Sequence, residues 1–201
     1  RKRWIIVSDL FKVSSSPHVR SNDSTSKIML LVIIALMPAS LFGIYNFGWK
    51  ALVLMLVGVG FSVLSEYVFN LITHKKNSIG DLSAVVTGLL LAMNVPVSLP
   101  VWQLAIGSVF AIVVVKQLFG GLGQNFMNPA AAAKCFLMIC FTGQMNLFVY
   151  QGVLSTTPLD VLRAGGSVDL LQLFLGNTSG CIGETCAIAL IIGAIYLFIR
   201  R

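Results

Sequence analysis

The chain has 201 residues, of which 57% are hydrophobic and only 10% are charged. A soluble domain of this length needs a far more polar surface, so the composition excludes that class and indicates a helical membrane protein. The apolar runs are long and continuous, unlike the short alternating segments of a membrane β-barrel. The net charge of +7 would suit nucleic acid, but the positions of the basic residues argue against that partner.

Six apolar segments follow one another along the chain and predict an all-α, polytopic fold. A polar leader, 1–27, precedes them and carries six basic residues. The first two segments match the roughly 20 residues needed to cross a bilayer, whereas the third and fifth are short. The predicted spans are 28–45, 51–71, 82–93, 101–118, 128–141 and 182–199, with a long loop at 143–181.

The two short segments look like broken helices at membrane depth. The third begins after Asp81, a suitable N-cap, and ends at NVPVSLP, where two prolines stop the helix. The fifth follows GGLGQNFMNP and places Asn128 as N-cap and Pro129 in the first turn. Such helices either place their ends around a ligand or ion or serve for packing alone, and the sequence leaves both interpretations open.

The basic residues predict the orientation of the chain. With the N-terminus in the cytoplasm, all Lys and Arg residues except Lys50 and Arg163 fall on the cytoplasmic side, Lys116 and Lys134 included. Both chain ends are then cytoplasmic and the 143–181 loop is extracytoplasmic. The positive charge is explained by topology, and we expect no nucleic-acid partner.

Few side chains suggest a metal or ion site. Cys135 and Cys140 lie in an apolar run and are expected to be packing residues, while GCIGETC fits neither a CxxC motif nor zinc spacing. We therefore predict no metal site. Glu66 and Glu184 lie near opposite ends of their spans and are candidates for an ion path, although each is expected to reach water at an interface.

The hydroxyl-rich segment LSTTPLD, 154–160, stands out in the long loop. It suits a simple surface turn, and it also suits a helix start with Thr157 as N-cap, Pro158 first and Asp160 third. A hydroxyl at a helix N-terminus is a suitable place for a phosphate. A protease nucleophile is not expected, because both histidines are predicted on the other side of the membrane.

Several segments, taken in order, resemble one family of redox-driven membrane complexes. The sequence resembles the D component of the Rnf electron-transport complex, which is related to the B component of the sodium-translocating NADH:quinone reductase. The resemblance implies an electron-relaying subunit, not catalytic alone, of a ferredoxin:NAD⁺ oxidoreductase that translocates Na⁺ or H⁺. The segments are SSSPHVRSNDST, DLSAVVTGLLLAMNVP, GGLGQNFMNPA, STTPLD and FLGNTSGCIGETCAIALIIGAIYL, which together cover essentially the whole chain.

The resemblance also implies a covalent cofactor. In that family a threonine directly before Pro-Leu, on the extracytoplasmic side, carries FMN through a phosphoester that a flavin transferase installs. Here that residue is Thr157, between Ser155 and Thr156 on one side and Pro158 and Leu159 on the other. The family usually has alanine before the threonine, so the hydroxyl of Thr156 is a rival.

The family further holds a second, non-covalent flavin, riboflavin or FMN, among its helices. The broken segments around Asn94 and around Asn125 and Asn128 are its candidate contacts. The resemblance implies a fold similar to the inverted repeat of urea channels, with other Rnf subunits as partners in the inner or plasma membrane, surrounded by lipid. Family members are longer, so we expect further helices beyond Arg201.

Two kinds of alternative stay open at this point. Within the family, the chain could belong to the B component of the quinone reductase. From another class, a urea-channel-like transporter or a membrane scaffold without cofactor would have the same apolar, broken helices.

Overall fold

The computed structural model describes residues 24–74, 78–150 and 152–200, so most of the predicted leader lies outside the described residues. Over these ranges the chain forms a bundle of helices with one short antiparallel hairpin of strands β1 (Val149–Tyr150) and β2 (Val153–Leu154). The helices are α1 (Thr25–Phe47), α2 (Trp49–Ile72), α3 (Ser83–Met93), α4 (Val101–Val109) continued by a π-helical segment (Phe110–Gln117), α5 (Pro129–Cys140), α6 (Thr142–Met145), α7 (Pro158–Arg163), α8 (Leu170–Leu175) and α9 (Ala187–Ile199).

Helices α1 and α2 are long and apolar enough to cross a membrane, judged by length and composition over the described residues. They extend the predicted spans 28–45 and 51–71 by a few residues at their ends. The other apolar helices, Ser83–Met93, Val101–Gln117, Pro129–Cys140 and Ala187–Ile199, are shorter than a full span. Six apolar helical segments are thus present where the sequence predicts them, and six crossings of the membrane stay a prediction.

The loop predicted at 143–181 contains more structure than the sequence suggests. It holds the end of α6, the hairpin, α7 and α8. The fold is mostly helical, as predicted, with one addition: the two short strands pair through the register Val149↔Leu154 and Tyr150↔Val153. This hairpin leads directly into the hydroxyl-rich segment.

Local capping explains where two of the helices begin. The Asn128 side chain accepts a hydrogen bond from the backbone N–H of Ala130 at 3.0 Å, with Pro129 first in α5, as predicted. The predicted Asp81 cap of α3 is wrong. Asp81 ends a short 3₁₀ turn, and Leu82, with φ of 58°, turns the chain before α3 begins.

Small residues bring the helices close together. A Cβ atom added to Gly88 of α3 would lie 2.5 Å from the carbonyl oxygen of Gly58 in α2, so the two backbones touch here. A Cβ atom on Gly193 of α9 would overlap the carbonyl oxygen of Ala35 in α1. Close backbone approach at small residues is how apolar helices associate where burial from water does not drive them together.

Two non-helical segments pair with each other inside the bundle. The N–H of Ile182 donates to the carbonyl oxygen of Val95 at 3.2 Å, and that of Gly183 donates to Met93 at 2.8 Å. The predicted span 182–199 therefore starts as a helix only at Ala187, because the preceding residues direct their hydrogen bonds to the chain that leaves α3. Broken backbone of this kind is tolerated at membrane depth where protein satisfies it.

Candidate functional site

The hydroxyl-rich segment is held in place from both sides. The hairpin precedes it, and the N–H of Ser155 donates to the carbonyl oxygen of Phe148 at 3.0 Å. On the other side, the Ser179 hydroxyl donates to the carbonyl oxygen of Thr156 at 2.6 Å. Thr157 is thus fixed between the hairpin and the segment that leads to α9.

The hydroxyl of Thr157 is oriented by its own helix. Its oxygen accepts a hydrogen bond from the backbone N–H of Asp160 at 3.3 Å, which confirms the predicted N-cap of α7 with Pro158 at the first position. The same hydroxyl donates to Oδ2 of Asp160 at 2.6 Å. The proton of Thr157 therefore points at a carboxylate, a geometry that favours its removal.

Thr157 borders a cleft of about 660 Å³. This volume lies in the range of sites that hold small molecules and cofactors. Thr157, Pro158 and Leu159 belong to its lining, but Ser155 and Thr156 do not. The described residues that line the cleft are Asn146, Phe148, Thr157, Pro158, Leu159, Asp160, Leu162, Leu173, Thr178, Ser179, Gly180, Cys181, Glu184, Thr185 and Ala187.

One polar atom in the lining of this cleft lacks a partner. Thr185 is buried, with 6% of its surface exposed, and its Oγ1 makes no hydrogen bond in the described structure. Buried hydroxyls almost always have a partner, so this atom is suited to a ligand or a water in the cleft. The sequence contained no signal for it, because Thr185 is one hydroxyl among several in this stretch.

Glu184, also in the cleft lining, forms an ion pair across the bundle. Lys134 of α5 donates from Nζ to Glu184 Oε1 at 3.0 Å and to Asn94 Oδ1 at 3.2 Å. Glu184 is half exposed, as predicted. The contact is incompatible with placing Lys134 on the cytoplasmic side and Glu184 near the outer end at the same time, and the side of the membrane on which each residue lies stays a prediction.

The cysteines near the site are thiols. All four are free, and burial, followed by the nearby Glu184, raises the pKa of Cys181 to about 12. Cys181 is therefore neutral and unreactive at physiological pH. Cys135 and Cys140 are exposed on α5, so the expected packing role is wrong for both.

A second polar cluster surrounds Glu66. Glu66 is fully buried, and its Oε1 accepts hydrogen bonds from Lys116 Nζ at 2.8 Å, Gln117 Nε2 at 2.9 Å and Ser78 Oγ at 2.7 Å. Lys116, equally buried, also donates to Ser83 Oγ at 2.7 Å. Glu66 is not exposed at the surface of the bundle, because α2, α3 and the π-helical segment close around it.

Two adjacent residues of the π-helical segment reach one carboxylate. Lys116 and Gln117 both donate to Oε1 of Glu66, and π-helical turns are frequent at functional sites. Beside them is a polar cavity of about 240 Å³, and Glu66, whose Oε2 has no partner in the described structure, is among its lining residues.

The three asparagines predicted to contact a second flavin lie in separate environments. Asn94 bonds Lys134, whereas Asn128 is exposed and caps α5. The amide of Asn125, oriented to donate, reaches the carbonyl oxygens of Lys116 and Gly121, both at 3.0 Å. The second flavin and its contacts stay a prediction.

The helices of this chain are apolar, some are broken, and they pack through small residues. These features place the chain in the class of helical membrane proteins. The chain belongs to the NQR2, RnfD, RnfE family, whose family model matches residues 12–201.

Three curated relatives are similar over most of this chain. It is 49% identical over 197 residues to the D component of the Na(+)-translocating ferredoxin:NAD(+) oxidoreductase complex of Acetobacterium woodii, covering 94% of this chain and 62% of the relative. It is 39% identical over 213 residues to the D component of the proton-translocating ferredoxin:NAD(+) oxidoreductase complex of Clostridium ljungdahlii, covering 98% and 64%. It is 37% identical to the D component of the ion-translocating oxidoreductase complex of Salmonella arizonae, covering 85% and 52%. The chain thus spans between half and two thirds of these relatives.

Proposed function

We propose that this chain is the flavin-carrying part of the D component of an Rnf-type ferredoxin:NAD⁺ oxidoreductase complex, with FMN joined to Thr157 by a phosphoester. The observation that carries the proposal is the position of the Thr157 hydroxyl. It is held by α7, directed at Asp160, and borders a cleft large enough for a cofactor. Two relatives named as the D component of ferredoxin:NAD(+) oxidoreductase complexes support the assignment, as does a third named as the D component of an ion-translocating oxidoreductase complex.

The residues around the cleft fit a flavin. Leu159, Leu162 and Leu173 provide apolar surface for a planar ring, while Thr185 offers an unpaired hydroxyl. Cofactor sites are mostly apolar with a few polar groups that set orientation, and this lining has that character. FMN, when bound, would supply one- and two-electron transfer.

The side chains of the chain itself have separate roles in this proposal. Thr157 would provide the ester oxygen, and Asp160 would accept the proton that this oxygen loses. The flavin phosphate would be transferred from a flavin dinucleotide, whose phosphoanhydride bond breaks so that a nucleoside monophosphate leaves. Thr156 is the weaker candidate because it does not line the cleft, and its carbonyl oxygen is engaged by Ser179. The apolar walls would exclude water from the ring.

The wider assignments belong to the same proposal. The chain would relay electrons within a hetero-oligomeric complex in the inner or plasma membrane, with the Thr157 loop extracytoplasmic and a second, non-covalent flavin nearby. A flavin transferase would load Thr157. One relative is named for Na⁺ and another for protons, so the proposal covers either ion. The B component of the quinone reductase is the alternative within the family.

The ion path is assigned to the Glu66 cluster. Glu66 lines a polar cavity, has one unpartnered oxygen and is paired with Lys116. Ionisable side chains buried in membrane helices commonly belong to ion or proton paths. Glu66→Gln should reduce ion uptake into vesicles containing the whole complex while leaving its covalent flavin in place. Unchanged uptake would remove Glu66 from the path.

The flavin assignment is tested by fluorescence in a denaturing gel. The full-length protein is produced together with a flavin transferase, and the band is viewed under ultraviolet light. Wild type and Thr156→Ala should fluoresce, whereas Thr157→Ala should be dark. A dark Thr156→Ala band beside a bright Thr157→Ala band would move the ester to Thr156. A dark wild-type band would favour the channel or scaffold alternative.

A further inference from the structure

We infer that the ring of the flavin on Thr157 lies in the cleft against residues 179–185, where the Lys134–Glu184 ion pair sets its reduction potential. The inference rests on the proposed function and deepens it. It gives Glu184, which the sequence marked as a candidate for an ion path, a role at the flavin instead.

The cleft places Thr157 and Glu184 on one cavity, and Thr185 also belongs to its lining. Lys134 lies outside this lining and is linked to the cleft through its 3.0 Å hydrogen bond to Glu184. The two walls are joined, because Ser179 on the far wall donates to the carbonyl oxygen of Thr156. That wall is in turn fixed to the bundle through the bond from Gly183 to Met93 at 2.8 Å. A ring tethered at Thr157 therefore meets a wall of defined position.

The wall formed by residues 179–185 includes one buried polar atom for which the described structure shows no hydrogen-bond partner. Thr185 Oγ1 is buried and unpaired in the described structure, and Thr185 is part of the cleft lining. The edge of a flavin ring carries nitrogen and oxygen atoms that accept hydrogen bonds. A donor at this edge stabilises the reduced ring, which carries more negative charge than the oxidised ring.

The ion pair is a second influence on the flavin potential, because removing one partner or the other leaves a positive or a negative charge beside the ring. Glu184 and Lys134 form a 3.0 Å pair with side-chain exposures of 53% and 27%, so together they are close to neutral. Removal of the carboxylate leaves the Lys134 cation, which favours the reduced ring. Removal of the ammonium leaves the Glu184 anion, which disfavours it. Opposite shifts from the two substitutions are thus the signature of a ring beside this pair.

The test is a potentiometric titration of the covalent flavin in the purified full-length protein, loaded by a co-produced flavin transferase. Glu184→Gln should raise the midpoint potential and Lys134→Met should lower it, each by up to about tenfold in the one-electron equilibrium, or about 59 mV. The double variant should return close to wild type. Lys50→Met, which removes a cation from an exposed position outside the cleft lining, is the matched control and should show no shift.

A hydrogen-bond variant provides an independent measurement. Thr185→Val should lower the potential, and Thr185→Ser should retain it, because serine keeps the donor. Attached flavin with shifts that are absent, or of one sign in both charge variants, would overturn the placement of the ring while leaving the ester intact. Wild-type protein without covalent flavin would instead overturn the proposed function together with this inference.

Discussion

Removal of Lys116 tests the buried ion pair that joins α2 to the π-helical segment. Lys116 and Glu66 have side-chain exposures of 2% and 1% and lie 2.8 Å apart. Lys116→Met keeps the length of the side chain but leaves Glu66 without a cation and Ser83 without its donor. Breaking a buried pair by removing one partner costs about 3–5 kcal/mol. At about 2–4 °C per kcal/mol for a chain of this size, the melting temperature should fall by about 6–20 °C.

The assay is intrinsic tryptophan fluorescence during heating of the detergent-solubilised protein. Lys134→Met is the matched control, because its pair is partly exposed and exposed pairs contribute about 0–1 kcal/mol. The double variant Lys116→Met with Glu66→Gln should recover part of the loss, since no buried charge is then left unpaired. Equal melting temperatures for Lys116→Met and Lys134→Met would refute the reasoning that burial makes the first pair critical.

Single residues provide three further predictions. Gly88→Ala should lower the melting temperature, because the new methyl group would lie 2.5 Å from the carbonyl oxygen of Gly58, whereas Gly60→Ala, at an open position, should lower it less. Asn128→Ala should cost about 1 kcal/mol through loss of the α5 cap; an unchanged melting curve would contradict the cap. The thiol of Cys181, with a pKa raised from 9.0 to about 12, should react with iodoacetamide at pH 8 about a thousandfold more slowly than an ordinary thiol and accelerate about tenfold per pH unit. Fast labelling of Cys181, followed by mass spectrometry of its peptide, would contradict the burial.

Local features of the fold could be read from the sequence. The two long apolar runs became α1 and α2, and the caps at Asn128 and Thr157 form as predicted. Each of these features depends on residues within one or two turns, so the pattern of side chains is sufficient. The prediction that Asp81 caps α3 was wrong, because Leu82 adopts a left-handed backbone conformation that separates Asp81 from α3. The pattern of side chains does not predict such a conformation at a leucine.

The position of the candidate site depends on longer-range contacts. The Thr157 hydroxyl could be singled out from LSTTPLD, but the cleft beside it is completed by residues of the 179–185 segment. The bond from Ser179 to Thr156 joins positions 23 apart in the chain. Sequence spacing indicates which residue types are present, whereas docking of the loop on the bundle decides which of them share a cavity.

The sequence by itself determined the membrane class, the approximate helices and the hydroxyl at residue 157, because hydrophobic run length and helix capping are local properties. Only the tertiary structure decided the partners of the charged residues. Two ion pairs each join positions that are 50 residues apart in the chain: Glu66–Lys116 and Lys134–Glu184. The packing of the helices brings both pairs together. For Glu66 and Lys116 the pairing is required, since a charge buried among apolar helices is stable only where the fold places its partner.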